Sequence, residues 1–169
     1  MREMISKIGF GGGCHWCTEA VFQSLKGVAK VEQGWIAAFD EYGSFSEAVI
    51  VYYNETVISL KTLIDVHLHT HRSSSDHSMR KKYRSAVYTF SENKRKQSQE
   101  IILSFQHKFG HKLITKVYPF KSFKPSPAAI QDYYKKNPSK PFCKKYIDPK
   151  LSLIANLFEN QINRVIISG

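Results

Sequence analysis

Residues 10 to 20 read Phe-Gly-Gly-Gly-Cys-His-Trp-Cys-Thr-Glu-Ala, so three glycines run into Cys14 and Cys17 with His15 and Trp16 between them. These residue types at this spacing support three chemistries. In the first, Cys14 acts alone as a nucleophile. It stands where a glycine-rich turn enters a helix, and the free N–H groups and dipole of a helix start favour a thiolate. A lowered pKa makes a cysteine reactive at neutral pH. The glycines allow positive φ and leave room for a ligand near the backbone. In the second, Cys14 and Cys17 form a thioredoxin-like dithiol, although the βαβ surroundings of that motif are missing. The third is zinc, which needs two further ligands. No second C-x-x-C exists, leaving histidines 67, 69, 71 and 77 as donors. The first three are divided around a helix by their spacing. Against all three stands a small buried core cysteine, for which the open glycine approach has no use.

The elements around this stretch alternate. Lys7–Phe10 reads as a strand entering the glycines, and Cys14 to Lys26 carries a helical apolar stripe that Gly27 stops. Val28 to Ala38 and Glu47 to Tyr53 read as strands. Ser59 fits the N-cap of a helix carrying Leu60, Leu63, Ile64 and Leu68. Tyr83 to Phe90 alternates as a strand, and Ser91 caps a long polar helix. Ile114 to Phe123 is predicted as one further strand, followed by a short helix at Ile130–Lys136. Asp148 with Pro149 opens a last amphipathic helix through Ile162. Strands and helices mix without a regular βαβ rhythm, which predicts an α+β fold, a two-layer sandwich of helices on one sheet. Ser73-Ser74-Ser75 is a loop signal rather than a boundary, so residues 1–169 are expected to be one catalytic domain.

Four ordered segments resemble the A-type peptide methionine sulfoxide reductases. Gly13-Cys14-His15-Trp16 resembles that family's G-C-F-W, and Phe45-Ser46-Glu47-Ala48-Val49 its G-H-A-E-A-V. Tyr83-Arg84-Ser85-Ala86-Val87-Tyr88 resembles Y-R-S-A-I-Y. Gln131-Asp132-Tyr133, Lys136-Asn137-Pro138 and Phe142-Cys143 resemble the H-Q-x-Y-L-x-K-N-P-x-x-Y-C ending. The resemblance implies a mixed ferredoxin-like sheet and reduction of the S-epimer of methionine sulfoxide, free or in oxidised proteins. It also implies no metal and no bound organic cofactor, with thioredoxin as external reductant. By the same resemblance Cys14 attacks the sulfoxide sulfur and becomes a sulfenic acid. Glu47, protonated inside a largely apolar pocket, gives its proton to the oxygen, and Tyr83 donates a hydrogen bond to it. Trp16 walls the S-methyl group, with His15 beside it. Cys143 is the implied resolving thiol, and Cys17, one turn along the helix, is the local alternative.

The chain departs from that pattern in several places. His15 stands where the family has phenylalanine, either filling aromatic volume or, when protonated, lowering the Cys14 pKa. The interval from Cys14 to Glu47 is shorter, and the first family tyrosine has no match except Tyr42 on different spacing. Asp76 precedes Tyr83 by seven residues where the family's G-N-D-x-G-x-x-Y has five. A helical segment replaces the glycine-rich tail.

The totals bound the partners. Lys and Arg number 25 against 14 acids, a formal +11, yet the basic residues are scattered with no nucleic-acid motif. No apolar run approaches the ~18 residues of a membrane span. Met1 to Lys7 lacks the apolar stretch of a signal peptide. A cytoplasmic monomer is therefore expected, binding neither nucleic acid nor membrane. Two other readings remain: a thiol-disulfide oxidoreductase using Cys14 and Cys17, and a catalytically degenerate basic binding module.

Overall fold

Alternating β-branched and aromatic residues build a single sheet, and the computed structural model describes residues 4–71, 82–110 and 112–162. The strands are β1 (Ile5–Gly11), β2 (Val28–Ala37), β3 (Ser46–Asn54), β4 (Ala86–Thr89), β5 (Lys116–Pro119) and β6 (Ser122–Pro125), in the order β5-β4-β1-β3-β2-β6. All neighbours are antiparallel except β4 and β5, so the sheet is mixed. The helices are α1 (His15–Gln23), α2 (Leu60–Thr70), α3 (Glu92–Phe105), α4 (Tyr133–Lys136) and α5 (Asp148–Leu157). The units β1-α1-β2 and β3-α2-β4 each leave one strand's width between their ends, and the other unit fills it. This is the ferredoxin-like split βαβ arrangement.

Residue parity along β3 sorts the core. Val49, Val51 and Tyr53 face the helices, while Ala48 and Ile50 face a second, smaller cluster. Side chains from α1, α2, α3 and α5 all enter the first cluster. At its centre Phe10 of β1 stacks on Phe22 of α1, ring centroids 4.6 Å apart. Ser59 and Ser91 cap their helices as expected, their Oγ atoms accepting from Thr62 N–H at 3.1 Å and Lys94 N–H at 3.2 Å.

Several boundaries differ from the sequence reading, and the expected strand Tyr83–Phe90 is only Ala86–Thr89, which leaves Tyr83 in the segment before it. The expected strand Ile114–Phe123 is two strands, joined at Phe120-Lys121 and serving opposite edges of the sheet. Phe120 N–H bonds the Thr89 carbonyl beside β4, and Lys121 N–H bonds the Ala37 carbonyl at the end of β2. Adjacent residues can reach both only because the sheet curls around the second cluster. The expected helix Ile130–Lys136 starts later, at Tyr133, after Asp132 takes a left-handed φ of 58°. The last helix stops at Leu157, well short of Ile162, and Asp148 does not cap it. A π-helical stretch, Cys143–Ile147, runs directly into α5 instead. Ser73 to Ser75, Asp76 and His77 lie outside the described residues.

Candidate active site

Cys14 occupies the N-cap of α1, with half-buried side chain and extended backbone (φ −59°, ψ 127°). The turn before it needs its glycines. Gly12 has φ 149°, and a Cβ there would meet His71 Cδ2 at 2.4 Å. A Cβ on Gly13 would meet nothing within 4 Å, so the approach to Cys14 is open. The Cys14 pKa is lowered, first by a hydrogen bond from the Cys17 thiol. Burial opposes this; the Trp16 N–H favours the thiolate, the Glu47 charge disfavours it, and the Cys17 N–H again favours it. These are the orphan donors of a helix start, closing on a sulfur. Cys17 is driven the other way, far up, by the same bond to Cys14 and by burial. Cys17 therefore stays a thiol and acts as donor.

Glu47 reaches this helix start from β3. It is buried, and its parity places it on the helix-facing side of the sheet, beside Trp35 in the β2 register. Its Oε1 accepts the His15 backbone N–H at 3.3 Å and lies 3.5 Å from His15 Nε2. Its Oε2 lies 3.6 Å from the Lys82 ammonium. The expected largely apolar pocket is thus corrected: the carboxyl group is dry, but an imidazole and an ammonium flank it. Residues 82 to 84 are stitched to the start of β3. The Lys82 carbonyl accepts from Glu47 N–H and Ser46 Oγ at 2.9 Å, and Ser46 Oγ accepts from Arg84 N–H at 2.7 Å. Tyr83 is held beside this seam, with the Lys82 ammonium 5.1 Å from its ring centroid. The Lys82 pKa is raised, foremost by its interaction with the Tyr83 hydroxyl.

His15 is buried, and its pKa is lowered by that burial above all, against the pull of the Gly34 carbonyl and Glu47. The expectation of a protonated His15 depressing the Cys14 pKa is corrected, because the ring is held neutral and faces Glu47. Trp16 stacks on Tyr133 with centroids 4.0 Å apart and meets Phe142 edge-on at 5.3 Å. Together they make an aromatic wall one residue from Cys14's neighbour. Cys143 begins the π-helical stretch that packs on α1 and is fully buried, at 0% exposure. It lies close enough to Cys17 and Tyr133 to raise the pKa of each.

Of the other named residues, Tyr42 lies apart from this group, whereas His67 and His71 line a small pocket with Cys14 and Cys17. Tyr42 packs in the second cluster against Tyr118, centroids 4.7 Å apart, on the far face of the sheet from Glu47. His67 Nε2 lies 2.7 Å from the Gly11 carbonyl, and His71 Nε2 lies 2.8 Å from Ser85 Oγ. His69 pairs with Asp65 at 3.0 Å. Among the described residues no three His, Cys, Asp or Glu side chains converge as metal ligands.

Sequence reasoning missed Lys82, the Tyr133–Phe142 wall and Glu19. Lys82 read as one of several scattered bases; its only signal was adjacency to Tyr83. Glu19, fully buried, accepts from Asp132 N–H at 2.9 Å, Tyr133 N–H at 3.1 Å and Gln33 Nε2 at 2.9 Å. It anchors the segment bearing Tyr133 to α1.

A cysteine with a lowered pKa at a helix start, beside a buried carboxyl group, is the arrangement that a cysteine-based redox enzyme needs. The family model described as Peptide methionine sulfoxide reductase matches residues 6–162, and the chain belongs to that family. Peptide methionine sulfoxide reductase MsrA of Sulfolobus acidocaldarius is 32% identical to it, covering 89% of this chain and 94% of the relative. The reduced form of Mxr1 from Saccharomyces cerevisiae superposes with a TM-score of 0.73 at 23% identity, covering 84% of this chain and 91% of that one. Mxr1 in complex with Trx2 gives a TM-score of 0.62 at 24% identity, covering 73% and 81%. Among the described residues no helix is long and apolar enough to cross a membrane.

Proposed function

We propose that this chain reduces methionine-S-sulfoxide, peptide-bound or free, to methionine, with Cys14 as nucleophile. The observation that carries the reading is the convergence of the Cys14 N-cap and the Glu47 carboxyl group at one helix start. The thiolate attacks the sulfoxide sulfur while Glu47 protonates the oxygen. Two electrons pass from the cysteine sulfur to the methionine sulfur, the oxygen moves to Cys14 as a sulfenic acid, and methionine leaves. Tyr83 donates a hydrogen bond to the same oxygen, and Trp16 with His15 forms the wall for the S-methyl group.

Cys143 then condenses with the sulfenic acid to a disulfide, releasing water. Cys17 supports the Cys14 thiolate and is the second candidate for that step. Thioredoxin reduces the disulfide; a fold neighbour, Mxr1, forms a complex with Trx2. The chain works as one catalytic domain, a cytoplasmic monomer without bound metal or organic cofactor. The elevated Cys17 pKa speaks against a Cys14/Cys17 dithiol attacking disulfides directly.

The test is turnover of free and peptide methionine sulfoxide. Cys14→Ser is expected to abolish it, and Glu47→Gln to lower kcat/KM by about 10²–10⁴-fold. Turnover by Cys14→Ser equal to that of the unaltered protein overturns the reading.

A further inference from the structure

His15 occupies the position of the family's phenylalanine, and three contacts hold its ring. Its Nδ1 lies 2.7 Å from the Gly34 carbonyl oxygen. A carbonyl only accepts, so Nδ1 carries a hydrogen, and the neutral ring presents the lone pair of Nε2. That nitrogen is the one 3.5 Å from Glu47 Oε1. The Gly34 carbonyl cannot shift easily. Gly34 is paired with Ala48 on one side and Pro125 on the other, and a Cβ on it would lie 2.2 Å from the Lys124 carbonyl. The Trp35 ring meets the imidazole edge-on at 5.0 Å and closes the remaining side. A bare Nε2 facing an ionised Oε1 would set lone pair against lone pair in a dry site. One proton between them removes the conflict.

We propose that His15 and Glu47 form a dyad that holds one shared proton, His15 being the positioning residue that keeps Glu47 loaded as proton donor. The inference rests on the reductase reading. As the Cys14 thiolate attacks, the dyad's proton leaves from Glu47 to the sulfoxide oxygen, and that oxygen ends on Cys14 as the sulfenic hydroxyl. A neutral imidazole and a carboxylate remain, and they take one proton from solvent before the next substrate. Lys82, with 57% of its side chain exposed, marks the wet end of this path. Among the described residues the charged groups facing the dyad are Lys82, before β4, which opposes an imidazolium, and Cys14, at the start of α1, which interacts with the Glu47 charge. From β2 come only the Gly34 carbonyl and the Trp35 ring. Burial keeps the imidazole neutral and so keeps Nε2 an acceptor for the carboxyl proton.

Without His15 the Glu47 carboxyl group has no nitrogen with which to share its proton. Activity that needs the proton is then lost at lower pH. The test is single-turnover reduction of methionine sulfoxide by pre-reduced protein across pH, which bypasses recycling. His15→Phe is expected to move the alkaline limb down by about one unit, a roughly tenfold loss on that limb. His15→Gln, polar but without a nitrogen that titrates, is expected to behave likewise and serves if the phenylalanine variant does not fold. Adding His15→Phe to Glu47→Gln is expected to move no limb of the pH profile further. A second readout needs no turnover: imidazole ¹⁵N resonances of His15, whose titration midpoint is expected to move in Glu47→Gln. Superposable pH profiles for the unaltered protein and both His15 variants, or a His15 titration indifferent to Glu47→Gln, overturn the dyad. Absence of sulfoxide reduction by the unaltered protein sinks the reductase reading instead, and the NMR titration still decides the dyad.

Discussion

The Cys14 sulfur draws its low pKa from three donors, and only two of them are backbone groups. The Cys17 thiol is the largest influence, so the C-x-x-C spacing acts through a hydrogen bond rather than through a second attacking thiol. An ordinary thiol loses alkylation rate as pH falls below about 8.5. Cys14, with its pKa lowered, keeps its rate below that pH and loses it only as pH falls through its own value. Cys17→Ala is expected to shift this limb toward alkaline pH and slow alkylation of Cys14 by iodoacetamide at pH 7 by up to about tenfold. An unchanged limb in that variant contradicts the assignment. At this scale the sequence was informative where chemistry depends on neighbours in the chain. A glycine turn, a cysteine and a helix start are all local. The partners of Glu47 were not legible, because His15 and Lys82 reach it from segments far away in the chain.

At the scale of elements, the site depends on how α1 holds what packs against it. Glu19 points inward from α1 and fixes the backbone of Asp132 and Tyr133, which puts the Tyr133 ring on Trp16. Burial foremost raises the Glu19 pKa, and its hydrogen bonds act against that. Glu19→Ala leaves two half-buried N–H groups without an acceptor and takes from the Gln33 amide one of its two. It is expected to cost about 2–3 kcal/mol in urea unfolding and to raise KM several-fold with a smaller change in kcat. A variant with unaltered KM would show that the aromatic wall stands without this anchor. The helices were legible in outline because caps and apolar stripes are local signals, as Ser59 and Ser91 demonstrate. Asp132 was not, since a left-handed residue held by a glutamate from a distant helix leaves no mark on its neighbours.

For the whole molecule, the sequence conveyed the class of the sheet but not its closure. Alternation along Ile114–Phe123 is the same whether the segment is one strand or two. Only pairing to Thr89 and Ala37, far apart in the chain, bends it at Phe120-Lys121 and curls the sheet. Tyr42, on the face opposite Glu47, packs with Tyr118 in the second cluster inside this curl. The net charge of +11 describes the surface, and among the described residues it enters the site through Lys82 beside Glu47 and Lys150 beside Cys17.

Cys143 gives the cycle a clock. A thiol with no solvent exposure, sitting where a π-helical stretch feeds α5, is out of reach of any protein reductant while that stretch stays wound. Under the proposed cycle attack at the Cys143 sulfur must wait for these five residues to open, and local opening of this kind has its own rate. Single turnover and steady state should then part company. A fast burst of one methionine per enzyme is expected, followed by a slower rate that saturates with thioredoxin and rises with low urea. A steady-state rate equal to the burst would mean that the stretch opens faster than sulfur chemistry proceeds.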